Sequence, residues 1–96
     1  MFILNLNYLT PLPQVEEHLD DHRAYLREYF DCGVFIAAGR KNPPVGGVIL
    51  LRAESKQEAE SLAQQDPFYR AGVTEYEIIE FTATRVGKGF EKLAGF

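Results

Sequence analysis

Apolar and polar residues alternate or cluster in four stretches of the chain that predict strands. Alternation at a period of two predicts a first strand over residues 2–9 and a fourth over residues 74–83. Short, continuously apolar runs at residues 34–38 and 48–51 predict the second and third strands, which lie on either side of a turn region rich in glycine and proline.

Two other stretches follow the spacing of an amphipathic helix. The first runs from residue 15 to residue 33, with Pro13 suited to its first turn and Gly33 as its C-terminal cap. At about 100° per residue, one arc of this helix is apolar and the opposite side is charged. The apolar arc consists of Val15, Leu19, Leu26, Tyr29 and Phe30. The second helix begins at Ser55, which forms a capping box with Glu58, and it ends at Asp66, because Pro67 disfavours a helical conformation there.

The order of elements is therefore β-α-β-β-α-β, the pattern of the ferredoxin-like α+β sandwich. Both crossover helices would lie on one face of a four-stranded antiparallel sheet, and the other face would be bare. Residues 34–38 and 48–51 would expose apolar side chains there, and a patch of that kind is typical of an association surface. We therefore expect a homodimer with its sheets packed face to face.

Composition narrows the range of functions. The 96 residues indicate a single domain over residues 1–96 with a C-terminal tail at 84–96, and the formal net charge of −4 argues against a nucleic-acid surface. Residues 1–4 are apolar, but the run is too short and lacks the basic leader of a signal peptide, and it is no membrane span. Cys32 is the single cysteine, which excludes an internal disulfide and favours the cytoplasm; we expect it to fill space at the helix end.

His22 is the one titratable residue in the middle of the apolar arc, and a ring aimed at the interior needs a hydrogen-bond partner. His22 lies nine residues after Pro13, which is ~14 Å along the first helix. Asp66 lies eleven residues after Ser55, which is ~16 Å along a second helix that starts from the same sheet edge. The two side chains therefore come to a similar level. A carboxylate that accepts from one ring nitrogen fixes the tautomer and raises the basicity of the other nitrogen, as a general base requires.

Simpler interpretations remain open for these residues. A histidine on an apolar face can be a core residue bonded to a backbone carbonyl, and an Asp-Pro pair can be only a helix cap. His18 and His22 have the i, i+4 spacing of a zinc pair, but no third ligand is evident, so we expect no metal site and place His18 at the boundary of the arc. No cofactor is expected.

Several segments together resemble the YCII-related (YciI-like) family. They are His18–Leu26, Gly33–Gly39, Gly46–Leu50, Asp66–Phe68 and Tyr76–Ile78, and the resemblance extends from Phe2 to about Phe81. It implies a dimeric ferredoxin-like α+β barrel with a His–Asp site, which falls on His22 and Asp66 in this sequence. Where the family tends to have a small-Gly-Pro turn after the second strand, this chain has Ala38-Gly39-Arg40. Arg40 would either bind an anionic substrate or only solvate the loop.

Two classes of function are consistent with these patterns. The first is a small cofactor-free enzyme, a lyase, isomerase or hydrolase, in which His22 is the general acid/base for a small acidic or aromatic molecule. The second is a non-catalytic dimeric module that binds a small ligand or a partner in the same cavity. A free nitrogen of His22 facing a cavity would favour the enzyme.

Overall fold

The computed structural model describes residues 1–96. Its four strands are β1 (Phe2–Tyr8), β2 (Phe35–Arg40), β3 (Gly46–Leu51) and β4 (Thr74–Glu80). Its helices are α1 (Leu12–Glu16), α2 (Leu19–Asp31), α3 (Lys56–Gln64) and α4 (Pro67–Arg70), followed by one 3₁₀ turn at Glu91–Leu93. No helix is both long enough and apolar enough to cross a membrane.

The strands form one antiparallel sheet in the order β2-β3-β1-β4. This order and the succession of elements confirm the predicted ferredoxin-like α+β architecture. Because successive residues of a strand point to opposite faces, Phe2, Leu4 and Leu6 of β1 share the face that the helices cover.

The helix-covered face contains two apolar clusters. The main cluster joins β1 and β3 to α2 and α3, and Leu4 and Leu51 in it are fully buried. A smaller cluster joins Val15 of α1 to Phe68 of α4 and to Val73. The two clusters lie side by side under the helices, and the elements at their junction carry His22 and Asp66.

The prediction of one continuous helix over residues 15–33 is wrong. The chain leaves helical geometry at His18, where φ is −108° and ψ is 10°, and α2 begins at the next residue. No glycine or proline marks this break. Its cause is tertiary, because Val15 and Leu19 pack in the smaller cluster whereas the rest of the buried side of α2 packs on the main one.

The second helix and its boundaries agree with the sequence analysis. The hydroxyl of Ser55 accepts a hydrogen bond from the backbone N–H of Glu58, and the Glu58 carboxylate accepts one from the N–H of Glu54. Strands β2 and β3 are longer than predicted, so the turn between them shortens to residues 41–45, and β1 and β4 end earlier than predicted. Cys32 does not fill space, because it is exposed at the end of α2, with its thiol directed at the Tyr29 carbonyl.

The opposite face of the sheet, hereafter the outer face, carries apolar and polar residues. Its apolar members are Ile3, Ala37, Val48, Leu50 and Ile79, and its polar members are Asn5, Asn7, Glu75 and Glu77. Val48 is 38% exposed and Ile79 is 42% exposed, so the outer face is open in this single chain. The C-terminal tail folds back so that the Phe96 ring lies 4.2 Å from the Arg52 guanidinium.

Candidate functional site

A cavity of about 420 Å³ lies between α2 and the sheet. Its walls come from α1, α2, α4 and strands β1, β2 and β3. The lining residues are Leu6, Tyr8, Glu16, Leu19, His22, Arg23, Leu26, Phe30, Ala38, Gly39, Arg40, Gly47, Val48, Ile49 and Phe68. The lining is mainly apolar, with a few charged groups, which is typical of small-molecule sites.

His22 and Asp66 meet at the wall of this cavity. Nδ1 of His22 and Oδ1 of Asp66 are 2.7 Å apart, and the two side chains are 13% and 2% exposed. The juxtaposition that helix arithmetic predicted is present. An ionised carboxylate only accepts, so Nδ1 carries the proton in this hydrogen bond. Nε2 makes no hydrogen bond within the protein and is the ring nitrogen that remains for a ligand in the cavity.

Asp66 also caps α4. Its Oδ1 accepts a second hydrogen bond, 2.9 Å long, from the backbone N–H of Phe68. The cap and the contact with His22 were alternatives at the level of the sequence, and the same oxygen makes both. The other oxygen, Oδ2, is buried and has no hydrogen-bond partner in the protein. The capping bond therefore fixes the carboxylate that faces His22.

Phe68 supports the imidazole from one side. Its ring is stacked on that of His22, with centroids 3.9 Å apart and planes inclined by 7°. Phe68 itself is buried against Val15 and Val73. The hydrogen bond to Asp66 holds the edge of the imidazole, and the stacked ring of Phe68 supports one of its faces. This role of Phe68 was not predicted from the sequence. Its signal was the position of an aromatic residue directly after the Asp-Pro cap.

Two tyrosines on the following turns of α2 tie this helix to α3. The Tyr25 hydroxyl donates to the Leu62 carbonyl at 2.7 Å, and the Tyr29 hydroxyl donates to the Gln65 side chain. Together with His22, these residues give three successive side-chain hydrogen bonds along one side of α2. These hydrogen bonds fix the rotation of α2 about its axis, and this rotation determines where the His22 ring points.

Tyr25 is more buried than expected, because the apolar arc predicted from the sequence did not include it. It is only 6% exposed and packs against Tyr29 and Phe35. Burial, together with the nearby negative charge of Asp66, raises the pKa of the Tyr25 hydroxyl well above its usual range. Tyr25 therefore stays a hydrogen-bond donor at every physiological pH.

Three charged residues line the cavity, one each from α1, α2 and β2. Arg40, the third site residue predicted from the sequence, lines the cavity as the last residue of β2 rather than as part of a turn. Arg23 and Glu16 also line it and were not singled out from the sequence. The signal for Arg23 was its place directly after His22. These residues provide two cations against one anion at the cavity.

His18 lies just before α2 and is partly buried, in agreement with its expected boundary position. No group of three or more His, Cys, Asp or Glu side chains has the arrangement to hold a metal ion. His22, held by Asp66, is the imidazole at the cavity wall, and the arginines supply positive charge.

The fold and the cavity define a small ferredoxin-like protein with a ligand-sized site between its first long helix and its sheet. The sequence model of the YCII-related domain matches residues 1–82, and the chain belongs to that family. The match ends just after β4 and leaves the whole C-terminal tail, residues 84–96, outside it.

A solved structure has a similar fold. It is 5-chloro-2-hydroxyhydroquinone dehydrochlorinase from Burkholderia phenoliruptrix, in a complex with 2,5-dihydroxybenzoquinone. The TM-score is 0.67 at 22% sequence identity, and the alignment covers 92% of this chain and 97% of the dehydrochlorinase chain. No curated protein matches the sequence significantly.

Proposed function

We propose that this protein is a cofactor-free enzyme in which His22 is the general acid/base for a small acidic or aromatic molecule. The observation that carries the proposal is the 2.7 Å contact from Nδ1 of His22 to the buried Asp66 carboxylate, at the wall of an open cavity. This contact leaves Nε2 unprotonated in the neutral ring and ready to take a proton from a bound molecule. The Asp66 charge then stabilises the imidazolium that forms, as it does in other His–Asp pairs.

The surroundings of His22 suit this role in two further respects. The ring has little conformational freedom, because Phe68 and Asp66 hold it on one face and at one edge. A general base contributes most when its atom is held in reach of the proton to be moved. The similar fold of a dehydrochlorinase that binds 2,5-dihydroxybenzoquinone supports ring-shaped molecules as ligands of the cavity.

Arg40 and Arg23 are proposed as the groups that attract an anionic substrate. Guanidinium groups donate hydrogen bonds to carboxylates and phenolates in a fixed planar geometry. Both line the same cavity as His22, and only Glu16 opposes them in charge. Arg40 is the substrate-binding residue in this proposal, because β2 places it at the rim opposite the helix.

A turnover screen tests the proposed activity. The chain and its His22→Asn variant are incubated with small aromatic and carboxylic acids, including 5-chloro-2-hydroxyhydroquinone, and the products are followed by mass spectrometry. Asparagine keeps an amide near the position of Nδ1 and lacks any atom at Nε2. We expect turnover by the unmodified chain to fall by about 10²-fold or more in the variant.

Equal turnover by both proteins would contradict a role for His22. Tight binding of a compound with no turnover by either protein would instead favour the non-catalytic ligand-binding module.

We propose a homodimer as the working assembly. The support is the outer face, where Ala37, Val48, Leu50 and Ile79 leave an apolar strip uncovered by any helix. A second copy with its own outer face would cover this strip. A stable interface of this kind buries at least ~1,000 Å².

A cytoplasmic location is proposed as well. Cys32 is a free thiol and exposed, and the chain has no second cysteine with which to form an internal disulfide. Free exposed thiols persist in reducing compartments, which supports the cytoplasm.

A further inference from the structure

Gly46 and Gly47 are adjacent at the start of β3, but a side chain would meet different surroundings at the two positions. A Cβ atom on Gly46 would lie 1.8 Å from the Leu6 carbonyl oxygen, so the close approach of β1 excludes any side chain there. A Cβ atom on Gly47 would meet one protein atom within 4 Å, the Gly39 carbonyl oxygen at 3.1 Å. Neither glycine has a positive φ, so the backbone conformation requires glycine at neither position. The 3.1 Å contact is tight, and a methyl group at Gly47 would need the Gly39 carbonyl to shift by a few tenths of an ångström, but packing does not exclude a small side chain there as it does at Gly46.

Gly47 faces the cavity. It pairs with Leu6 of β1 on one side and with Arg40 of β2 on the other, and all three residues line the cavity. The next two residues of β3 on the same face, Ile49 and Leu51, are buried and fill the space between sheet and helices. Gly47 has no side chain to continue this packing, so the backbone of β3 forms the floor of the cavity at this position.

Without a side chain at Gly47, a flat ring can lie directly on the backbone of β3, in van der Waals contact at ~3.5–4 Å. Leu26 of α2 lines the same cavity and supplies an apolar side chain on the helix side. A planar ring presents a flat face to this backbone, whereas a puckered or branched carbon skeleton does not. The stacked rings of His22 and Phe68 close the cavity at one side of the floor, and Arg40 lies at the other.

We propose that Gly47 determines substrate specificity, by leaving a slot in which a planar, anionic aromatic ring lies on the backbone of β3. The anionic group of the ring points to Arg40, and a ring atom or substituent comes within reach of Nε2 of His22. This inference rests on the proposed function, since it concerns the same cavity, and it names the substrate class as planar aromatic acids. Any side chain at position 47 occupies the slot.

Calorimetric binding tests the slot with two acids that share a carboxylate and differ in shape. 4-Hydroxybenzoate is planar, and 4-hydroxycyclohexanecarboxylate carries the same hydroxyl and carboxylate on a puckered ring. We expect the unmodified chain to bind 4-hydroxybenzoate about tenfold tighter or more. We expect Gly47→Ala to lose about tenfold in affinity for 4-hydroxybenzoate, and Gly47→Val to lose more.

Two controls keep the test independent of folding and of His22 chemistry. Gly87→Ala adds the same methyl group outside the cavity, where its nearest contact is an ordinary 3.8 Å to Phe90, and it should bind both acids as the unmodified chain does. The ¹⁵N spectrum of His22 in Gly47→Ala should keep the Nδ1–H tautomer, which shows that the site has not collapsed. If Gly47→Val fails to fold, the affinity of Gly47→Ala alone decides the test.

Unchanged binding of 4-hydroxybenzoate by Gly47→Ala would overturn the proposal, and so would no preference for the planar acid, or no binding of it, in the unmodified chain. If His22→Asn retains turnover while Gly47→Ala loses binding of the ring, the acid–base role of His22 is refuted and the role of Gly47 in specificity is supported.

Discussion

The backbone N–H of Phe68 and the Nδ1 of His22 converge on the same oxygen of Asp66, at 2.9 and 2.7 Å. Phe68 also stacks its ring on the imidazole. One short helix therefore supplies the acceptor for His22, the donor that holds this acceptor in place, and the surface on which the ring rests. Small movements of α4 relative to α2 would change all three contacts together.

Two substitutions of His22 should differ in stability. His22→Ala leaves the buried Asp66 carboxylate without its side-chain donor, whereas His22→Asn keeps a donor near the Nδ1 position. We expect the alanine variant to lose about 2 kcal/mol in free energy of unfolding and the asparagine variant to stay within about 1 kcal/mol of the unmodified chain. Urea denaturation measures both values, and equal losses would show that Asp66 does not depend on this donor.

Tyr25 should make the protein sensitive to alkaline pH. Burial raises the pKa of its hydroxyl above the usual value near 10, so above that pH the unfolded chain releases the proton while the folded chain keeps it. The folded state then binds more protons, and stability falls as pH rises, by up to about 1.4 kcal/mol per pH unit from this group.

Tyr25→Phe should weaken this dependence, leaving the part due to Tyr29, whose hydroxyl pKa is also raised by burial. It should cost about 1 kcal/mol at neutral pH, because the Leu62 carbonyl keeps its bond from the N–H of Gln65. Denaturation curves between pH 9 and about pH 11.5 compare the two proteins. Parallel pH profiles would contradict the assignment to Tyr25.

Residues with strong local signals were predictable from the sequence. The capping box at Ser55 and the stop at Pro67 define α3 and the start of α4, and strand order follows from the succession of elements. Counting residues along two helices that start from the same edge of the sheet placed His22 and Asp66 at a similar level, and the break at His18 does not separate them.

Features that depend on packing between elements were not predictable. The helix break at His18 has no sequence marker and results from the separate burial of Val15. The buried side of α2 is rotated towards Tyr25 because this helix packs on α3 as well as on the sheet, and Phe30 is left 38% exposed at the cavity. A helical wheel contains no information about a neighbouring helix.

Arg40 should contribute to the binding of anions. We expect Arg40→Gln to weaken the binding of 4-hydroxybenzoate about tenfold at low ionic strength, because one charge-assisted hydrogen bond is lost. The difference should shrink as salt is added, since Arg40 is exposed and screened. Arg27→Gln is the matched control, because it removes an exposed α2 arginine that does not line the cavity. Equal weakening in both variants would indicate a general charge effect and no anchor at Arg40.

The outer face should govern assembly. Light scattering at micromolar concentration is expected to give twice the chain mass of 10.9 kDa. Leu50→Asp places a charge in the middle of the apolar strip and should give the monomer, because an unpaired charge is costly to bury. Gln57→Asp adds the same charge on the exposed side of α3 and should leave the dimer unchanged. A mass of one chain for the unmodified protein would contradict the dimer.

The position of the proton on the neutral His22 ring is the most direct test of the proposed His–Asp pair. Asp66 should hold this proton on Nδ1 and leave Nε2 free to act on a bound molecule. The ¹⁵N chemical shifts of the neutral ring report which nitrogen carries the proton. We predict the Nδ1–H tautomer in the unmodified chain and a mixture of both tautomers in Asp66→Asn, where an uncharged amide replaces the carboxylate while the cap on Phe68 is kept. A dominant Nε2–H tautomer in the unmodified chain, or the same tautomer ratio in both proteins, would contradict a general base held by Asp66.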